Sequence, residues 1–123
     1  MINHNIENNL LEMYTREIFE IVGLKIDNIK FYLDLTPRAK TRVIKPDGLE
    51  SSRVEVRYPM RLRGHYSEIL LSIAVEAVLE KKILENLGRI HSPRYLKKLR
   101  EEAKKEASKI LEIADSKFEV RLS

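Results

Sequence analysis

Basic side chains are concentrated between residues 38 and 63 of this chain, in a stretch where apolar and polar residues alternate. Phosphate groups are bound by cations that converge on a rigid support, and arginine can hold a phosphate through two hydrogen bonds at once. A two-stranded β-ribbon can also enter a nucleic-acid groove. These properties predict a contact with nucleic acid, or with an acidic protein surface, through seven residues: Arg38, Lys40, Arg42, Arg53, Arg57, Arg61 and Arg63.

The same cations have a second interpretation, in which they only form the solvated side of a sheet. Charged residues on edge strands protect a sheet against aggregation. The aromatic residues near the cations are Tyr32 and Tyr58, which is little support for base stacking. The sequence leaves both interpretations open.

Arg61 and Arg63 also lie just before Gly64, where a predicted strand gives way to a predicted helix. Exposed N–H groups at the start of a helix can hold an anion, and these two arginines with His65 would add positive charge there. An ordinary strand-to-helix connection, in which Gly64 allows the bend, explains the same residues.

A third pattern concerns Asp47 on a predicted turn, followed by Glu55 and Arg57 on the next strand. Metal-dependent nucleases use two carboxylates that hold Mg²⁺ and a lysine near the attacked phosphate. Here an arginine takes the place of the lysine, and the turn alone explains the aspartate. A metal-dependent nuclease is therefore a remote alternative.

The remaining residue types argue against other chemistry. His4, His65 and His91 have no histidine or carboxylate partner at metal-ligand spacing. The chain contains no cysteine, which excludes disulfides, cysteine-based metal sites and a cysteine nucleophile. We therefore expect no metal and no cofactor, and we favour a binding protein over an enzyme.

Length and charge set broad limits. A chain of 123 residues is expected to form one domain over residues 1–123. The net charge is +4, with basic residues in excess over 25–64 and 89–123, a distribution that permits nucleic-acid binding without requiring it. The absence of glutamine and the many lysines, glutamates and arginines are typical of thermophiles.

The chain is expected to be soluble. Its N-terminus lacks the basic and apolar segments of a signal peptide. The longest apolar stretch, residues 69–79, is interrupted by Ser72 and Glu76 and is too short for a membrane span. We expect a cytoplasmic protein or a virion component, with no membrane contact.

Hydrophobic periodicity predicts the elements that would position the cations. Gly23 and Gly88 are the expected ends of two helices, and Ser92-Pro93 is a typical start for a third. Phe118, Val120 and Leu122 alternate with charged residues and predict a last strand. The predicted elements are a helix over 6–22, strands over 29–35, 39–45 and 52–58, a helix over 66–87, a helix over 92–114 and a strand over 118–122.

This order, α-β-β-β-α-α-β, predicts an α+β fold in which an antiparallel sheet of three clustered strands plus a C-terminal strand packs against three helices. A basic β-hairpin would lie between about Ile29 and Met60. The first functional hypothesis is a non-enzymatic protein that uses this hairpin to bind nucleic acid or an acidic partner.

The second hypothesis rests on the helix over 66–87, which is apolar around well over half of its circumference. Such a helix must be covered on more than one side. A second subunit could supply part of that cover, which would make the protein a homo-oligomer or a structural subunit of a virion or a multiprotein complex.

Overall fold

Two helices, α1 and α2, lie against one face of a three-stranded sheet and a third, α3, packs on them, in the order α1-β1-β2-β3-α2-α3. The computed structural model describes residues 4–49, 51–89 and 92–122. Short 3₁₀ turns, Met60–Leu62 and Leu87–Arg89, flank α2. The main elements are α1 (His4–Val22), β1 (Asn28–Asp34), β2 (Arg42–Ile44), β3 (Arg53–Pro59), α2 (Tyr66–Glu85) and α3 (Pro93–Leu122). The α+β class is confirmed.

The sheet is mixed, with strand order β1-β3-β2. Its central strand, β3, runs parallel to β1 and antiparallel to β2, so the prediction of an antiparallel sheet is wrong for β1. The chain does not fold back beside β1 after Asp34. Instead a turn, in which the Ala39 N–H donates to the Thr36 carbonyl at 3.2 Å, leads it to the far side of β3.

The basic hairpin is shorter than predicted and comprises only β2, β3 and their connection. β2 spans three residues, and Arg38 and Lys40 precede it. These two cations therefore do not share a strand face with Arg42, as the predicted strand over 39–45 required. The turn that starts the connection is as expected: the Gly48 N–H donates to the Lys45 carbonyl at 3.0 Å, and Gly48 has φ of 97°.

The predicted C-terminal strand is wrong, because α3 continues to Leu122. Apolar residues two apart suggested a strand, but no glycine or proline separates Ala114 from Phe118. With nothing to end the helix, its backbone hydrogen bonds simply continue. The sheet therefore has three strands within the described residues.

The local signals at Gly23 and Ser92 are confirmed, whereas Gly88 does not end α2, which stops at Glu85 before the 3₁₀ turn that contains Gly88. Gly23 has φ of 91°, its N–H donates to the Glu20 carbonyl at 3.0 Å, and the Leu24 N–H donates to the Phe19 carbonyl at 2.9 Å. This pair of bonds is the Schellman motif. At the start of α3, the Ser92 hydroxyl accepts the Tyr95 N–H at 3.2 Å, which is an N-cap.

The apolar circumference of α2 is covered by the chain itself. α1 and α3 both pack against α2, and the sheet covers a further side. Alanines 103 and 107 of α3 are fully buried, and such small side chains let two helices approach closely. The buried apolar residues of α2 are Ile69, Leu70, Ile73, Ala74, Ala77, Val78 and Leu79. The hypothesis of an assembly subunit that oligomerises through α2 stays a prediction. The apolar surface of α2 that suggested it is packed against α1, α3 and the sheet.

None of the helices, over the residues that the structure describes, is long and apolar enough to cross a membrane.

Candidate functional site

One face of the sheet is left open by the described helices. Val54, Val56 and Tyr58 of β3 point toward the helices and are at most 2% exposed. The alternate residues Arg53, Glu55 and Arg57 point the other way, and of these Arg53 is exposed while Glu55 and Arg57 are half-buried. The predicted polar face of β3 is therefore the outer surface of the sheet, which we call the open face.

Three predicted cations lie together on the open face. Arg57 pairs in register with Arg42 of β2 on one side and with Tyr32 of β1 on the other. Arg53 lies on the same face of β3, four residues earlier. Directly opposed residues on one face of a sheet have Cβ atoms about 5 Å apart, so Arg42 and Arg57 can act on one group of a ligand. Arg53 lies roughly 13 Å from Arg57 along the strand, within reach of an extended ligand.

Lys30 adds a fourth cation that the sequence reasoning did not select. It is exposed on the open face of β1, between the inward-facing Ile29 and Phe31, and its register partner in β3 is Glu55. The alternation of β1 would have identified it. What was missing was the knowledge that β1 lies beside β3 rather than beside β2.

Two of the cations make ion pairs. Arg53 contacts Asp47 at 3.3 Å with both side chains exposed, whereas Arg42, 61% exposed, contacts the 16% exposed Asp34 at 4.0 Å. A pair between exposed side chains stabilises a fold by only about 0–1 kcal/mol, so a ligand can compete for Arg53. The Arg42 contact is too long for a hydrogen bond, so Asp34 does not occupy the N–H donors of Arg42. The Thr36 N–H donates to Asp34, which is the main reason why the pKa of Asp34 lies below its ordinary value, and the charges of Arg42 and Arg57 lower it further.

Arg57 is engaged differently, with an aromatic ring. Its guanidinium carbon lies 5.0 Å from the centre of the Tyr32 ring, which is a cation–π contact. Among the described residues Arg57 has no ion pair. Tyr32 is 37% exposed, whereas Tyr58 is 2% exposed and belongs to the core. Only Tyr32 of these two tyrosines is therefore accessible to a ligand.

A second group of cations lies away from the open face, in a groove of about 430 Å³. Lys40 and Arg61 line this groove together with Arg100 and Lys104 of α3, so the fold joins the two basic regions of the sequence. Arg100 is bound to Glu76 at 2.5 Å. The groove is thus of mixed charge, as is the open face, where Asp34 and Glu55 lie among the cations.

The other predicted residues lie elsewhere. Arg38 is exposed in the turn after β1 and has φ of 65°, a left-handed conformation that is unfavourable for a side chain other than glycine or asparagine. Arg63 is half-buried just before α2. His65 is exposed at the start of α2 and does not cap the helix through its side chain. The seven predicted cations thus form one cluster of three, one pair and two separate residues.

The arrangement gives little support to metal chemistry. Asp47 is bound to Arg53, and Glu55 lies on the open face opposite Lys30. Over residues 4–49, 51–89 and 92–122, no group of three or more histidine, aspartate or glutamate side chains could hold a metal ion. His91 lies outside the described residues.

No protein-family model, no curated protein and no solved structure matches this chain.

Proposed function

We propose that this chain is a non-enzymatic binding protein whose open face contacts the phosphate backbone of a nucleic acid. The observation that carries the proposal is the cluster of Arg42, Arg53 and Arg57, with Lys30 beside it, on a sheet face that no described helix covers. A rigid sheet holds these cations at fixed spacing, and a polyanion that lies across the strands would meet several of them at once.

Nucleic acid is preferred over an acidic protein surface because of Tyr32. Arginine forks match carboxylates as well as phosphates, so the three arginines fit either partner. The exposed ring of Tyr32, however, can be used by a phosphodiester ligand with bases and not by a run of carboxylates. An acidic protein partner is the competing outcome of the test.

The test measures binding of fluorescent oligonucleotides by anisotropy at several salt concentrations. Neutralising two exposed cations, Arg42→Gln with Arg53→Gln, should weaken binding and reduce the slope of log K against log salt by about 1.4 for a single strand or 1.8 for a duplex. The matched control is Lys105→Gln with Lys109→Gln, which removes the same charge from exposed positions on α3, in the helix layer.

The control should leave the slope close to that of the parent protein. If the parent protein does not bind nucleic acid at moderate salt, or binds with no salt dependence, the proposal is wrong. Binding to polyglutamate in place of nucleic acid would assign the open face to an acidic protein partner. If both double variants lower the slope equally, binding reflects overall charge and not this cluster.

A further inference from the structure

We infer that the ligand of the open face is a single-stranded nucleic acid, one base of which stacks on Tyr32. This inference rests on the proposed function and specifies its substrate class. It is carried by the position of Tyr32, which is exposed on the open face and lies in register with Arg57.

Tyr32 has the properties of a stacking platform. β1 is held along its whole length by parallel pairing with the central strand, so the ring stands on rigid backbone. The Arg57 guanidinium lies over one face of the ring and orients it, so a base would stack on the other face. Because Arg57 makes no ion pair within the described part of the chain, its N–H donors remain available for the phosphate next to a stacked base.

The shape of the surroundings argues against a duplex. In a duplex the bases are stacked on each other, and a protein reaches their edges with an element that enters a groove. α1 and α2, which pack on the sheet, cover its opposite face, and α3 packs on these two helices, so none of the three lies on the open face. Tyr32 lies within the face and not at a protruding tip.

The hairpin is also poorly suited to enter a groove. Its connection begins with Lys45, Pro46 and Asp47, and Lys45 points inward to Glu80 of α2. Asp47 is exposed there and presents a carboxylate, which nucleic-acid phosphates would repel. The cations lie instead along the strands, where an extended single strand can follow them.

The experiment compares three probes by anisotropy: an oligothymidylate of about ten nucleotides, an abasic oligomer with the same backbone, and a duplex of equal length. Tyr32→Ala should weaken binding of the oligothymidylate by roughly 5- to 150-fold, since loss of base–aromatic stacking has effects of this size. Tyr32→Phe should retain most of the affinity. Binding of the abasic oligomer should be the same for all three proteins.

A control variant and a spectroscopic readout separate stacking from folding. Ile44→Ala truncates a half-buried apolar side chain on the open face, and it should leave affinity for the oligothymidylate almost unchanged. The chain contains no tryptophan, so Tyr32→Trp introduces a single indole. Its fluorescence should be quenched by the oligothymidylate and not by the abasic oligomer.

The outcomes distinguish the two proposals. Salt-dependent binding of all probes, with no effect of Tyr32→Ala, would overturn stacking and leave the proposed function intact. Tighter binding of the duplex than of the oligothymidylate would overturn the preference for single strands. Binding of none of the probes would overturn both proposals, and equal losses for Tyr32→Ala and Ile44→Ala would make Tyr32 merely structural.

Discussion

Replacing Lys45 by methionine is expected to destabilise the fold strongly, because it removes the partner of a buried carboxylate. Lys45 Nζ is hydrogen-bonded to Glu80 Oε1 and donates to the Leu49 carbonyl at 3.0 Å. The two side chains are only 12% and 7% exposed. The pair joins the connection after β2 to the C-terminal part of α2, so it holds the sheet to the helix layer.

The size of the effect follows from the burial of Glu80. Removing one partner of a buried ion pair generally costs about 3–5 kcal/mol, since the other charge is left without compensation. A groove of about 250 Å³ borders the pair and lets water approach Glu80, so we expect about 3 kcal/mol for Lys45→Met. Removing both charges, as Lys45→Met with Glu80→Leu, should return the protein to within about 1 kcal/mol of its parent.

The pH dependence provides an independent check. Burial raises the pKa of Glu80 above its ordinary value of 4.5, and Lys45 partly opposes this rise. The folded state therefore holds the Glu80 proton more tightly than the unfolded state. The resulting stability is present at low pH and is lost as pH rises through the folded-state pKa. Without Lys45 the pKa of Glu80 rises further. The loss of unfolding free energy caused by Lys45→Met should therefore become smaller as the pH falls from about 7 to about 5.

The cycle consists of the parent, both single variants and the double variant. Urea unfolding near pH 7 and near pH 5 gives the free energy of unfolding of each. Adding Glu80→Gln to Lys45→Met should abolish the difference between the two pH values. If the losses of the two single variants simply add, the charges are not coupled. A deficit of Lys45→Met that is equal at both pH values would refute the burial of an uncompensated carboxylate.

Two further predictions concern the backbone and a helix end, and thermal and urea unfolding measure both. Arg38→Gly should raise the free energy of unfolding by about 1 kcal/mol, because Arg38 has φ of 65° in the turn after β1 and glycine adopts that conformation without strain; a loss of stability would show that the arginine side chain compensates the strain. Ser92→Ala should lower the free energy of unfolding by about 1 kcal/mol, because the Tyr95 N–H would lose its acceptor at the start of α3. Ser92→Asp should retain most of the stability that the cap provides. Equal losses for both variants would contradict the capping role.

Features determined by neighbouring residues could be predicted from the sequence. Gly23 ends α1 because glycine alone adopts its φ of 91° cheaply, and Ser92 starts α3 because its hydroxyl reaches the third following N–H. The inner and outer faces of β3 follow from the alternation of Val54 and Val56 with charged residues. The end of α3 was missed because a period of two over five residues also fits the last turns of a helix.

Features determined by distant residues could not be predicted. Lys45 looks like the other cations of its region, but its partner, Glu80, lies 35 residues away in the sequence. Whether a lysine binds a ligand or a buried glutamate depends on how α2 packs against β2. The approach of Lys40 to Arg100, across the groove, likewise requires the position of α3.

Strand order has the largest consequence for the candidate site. If consecutive strands had paired, β1 would lie beside β2, and Tyr32 would not be the neighbour of Arg57. With β3 in the centre, Arg57 is in register with both Tyr32 and Arg42. A substitution of Arg57 would therefore disturb the phosphate contact and the stacking platform together. Substitution of Arg42 and Arg53 tests the phosphate contact, and substitution of Tyr32 tests base stacking. These substitutions therefore separate the two proposals, whereas a substitution of Arg57 does not.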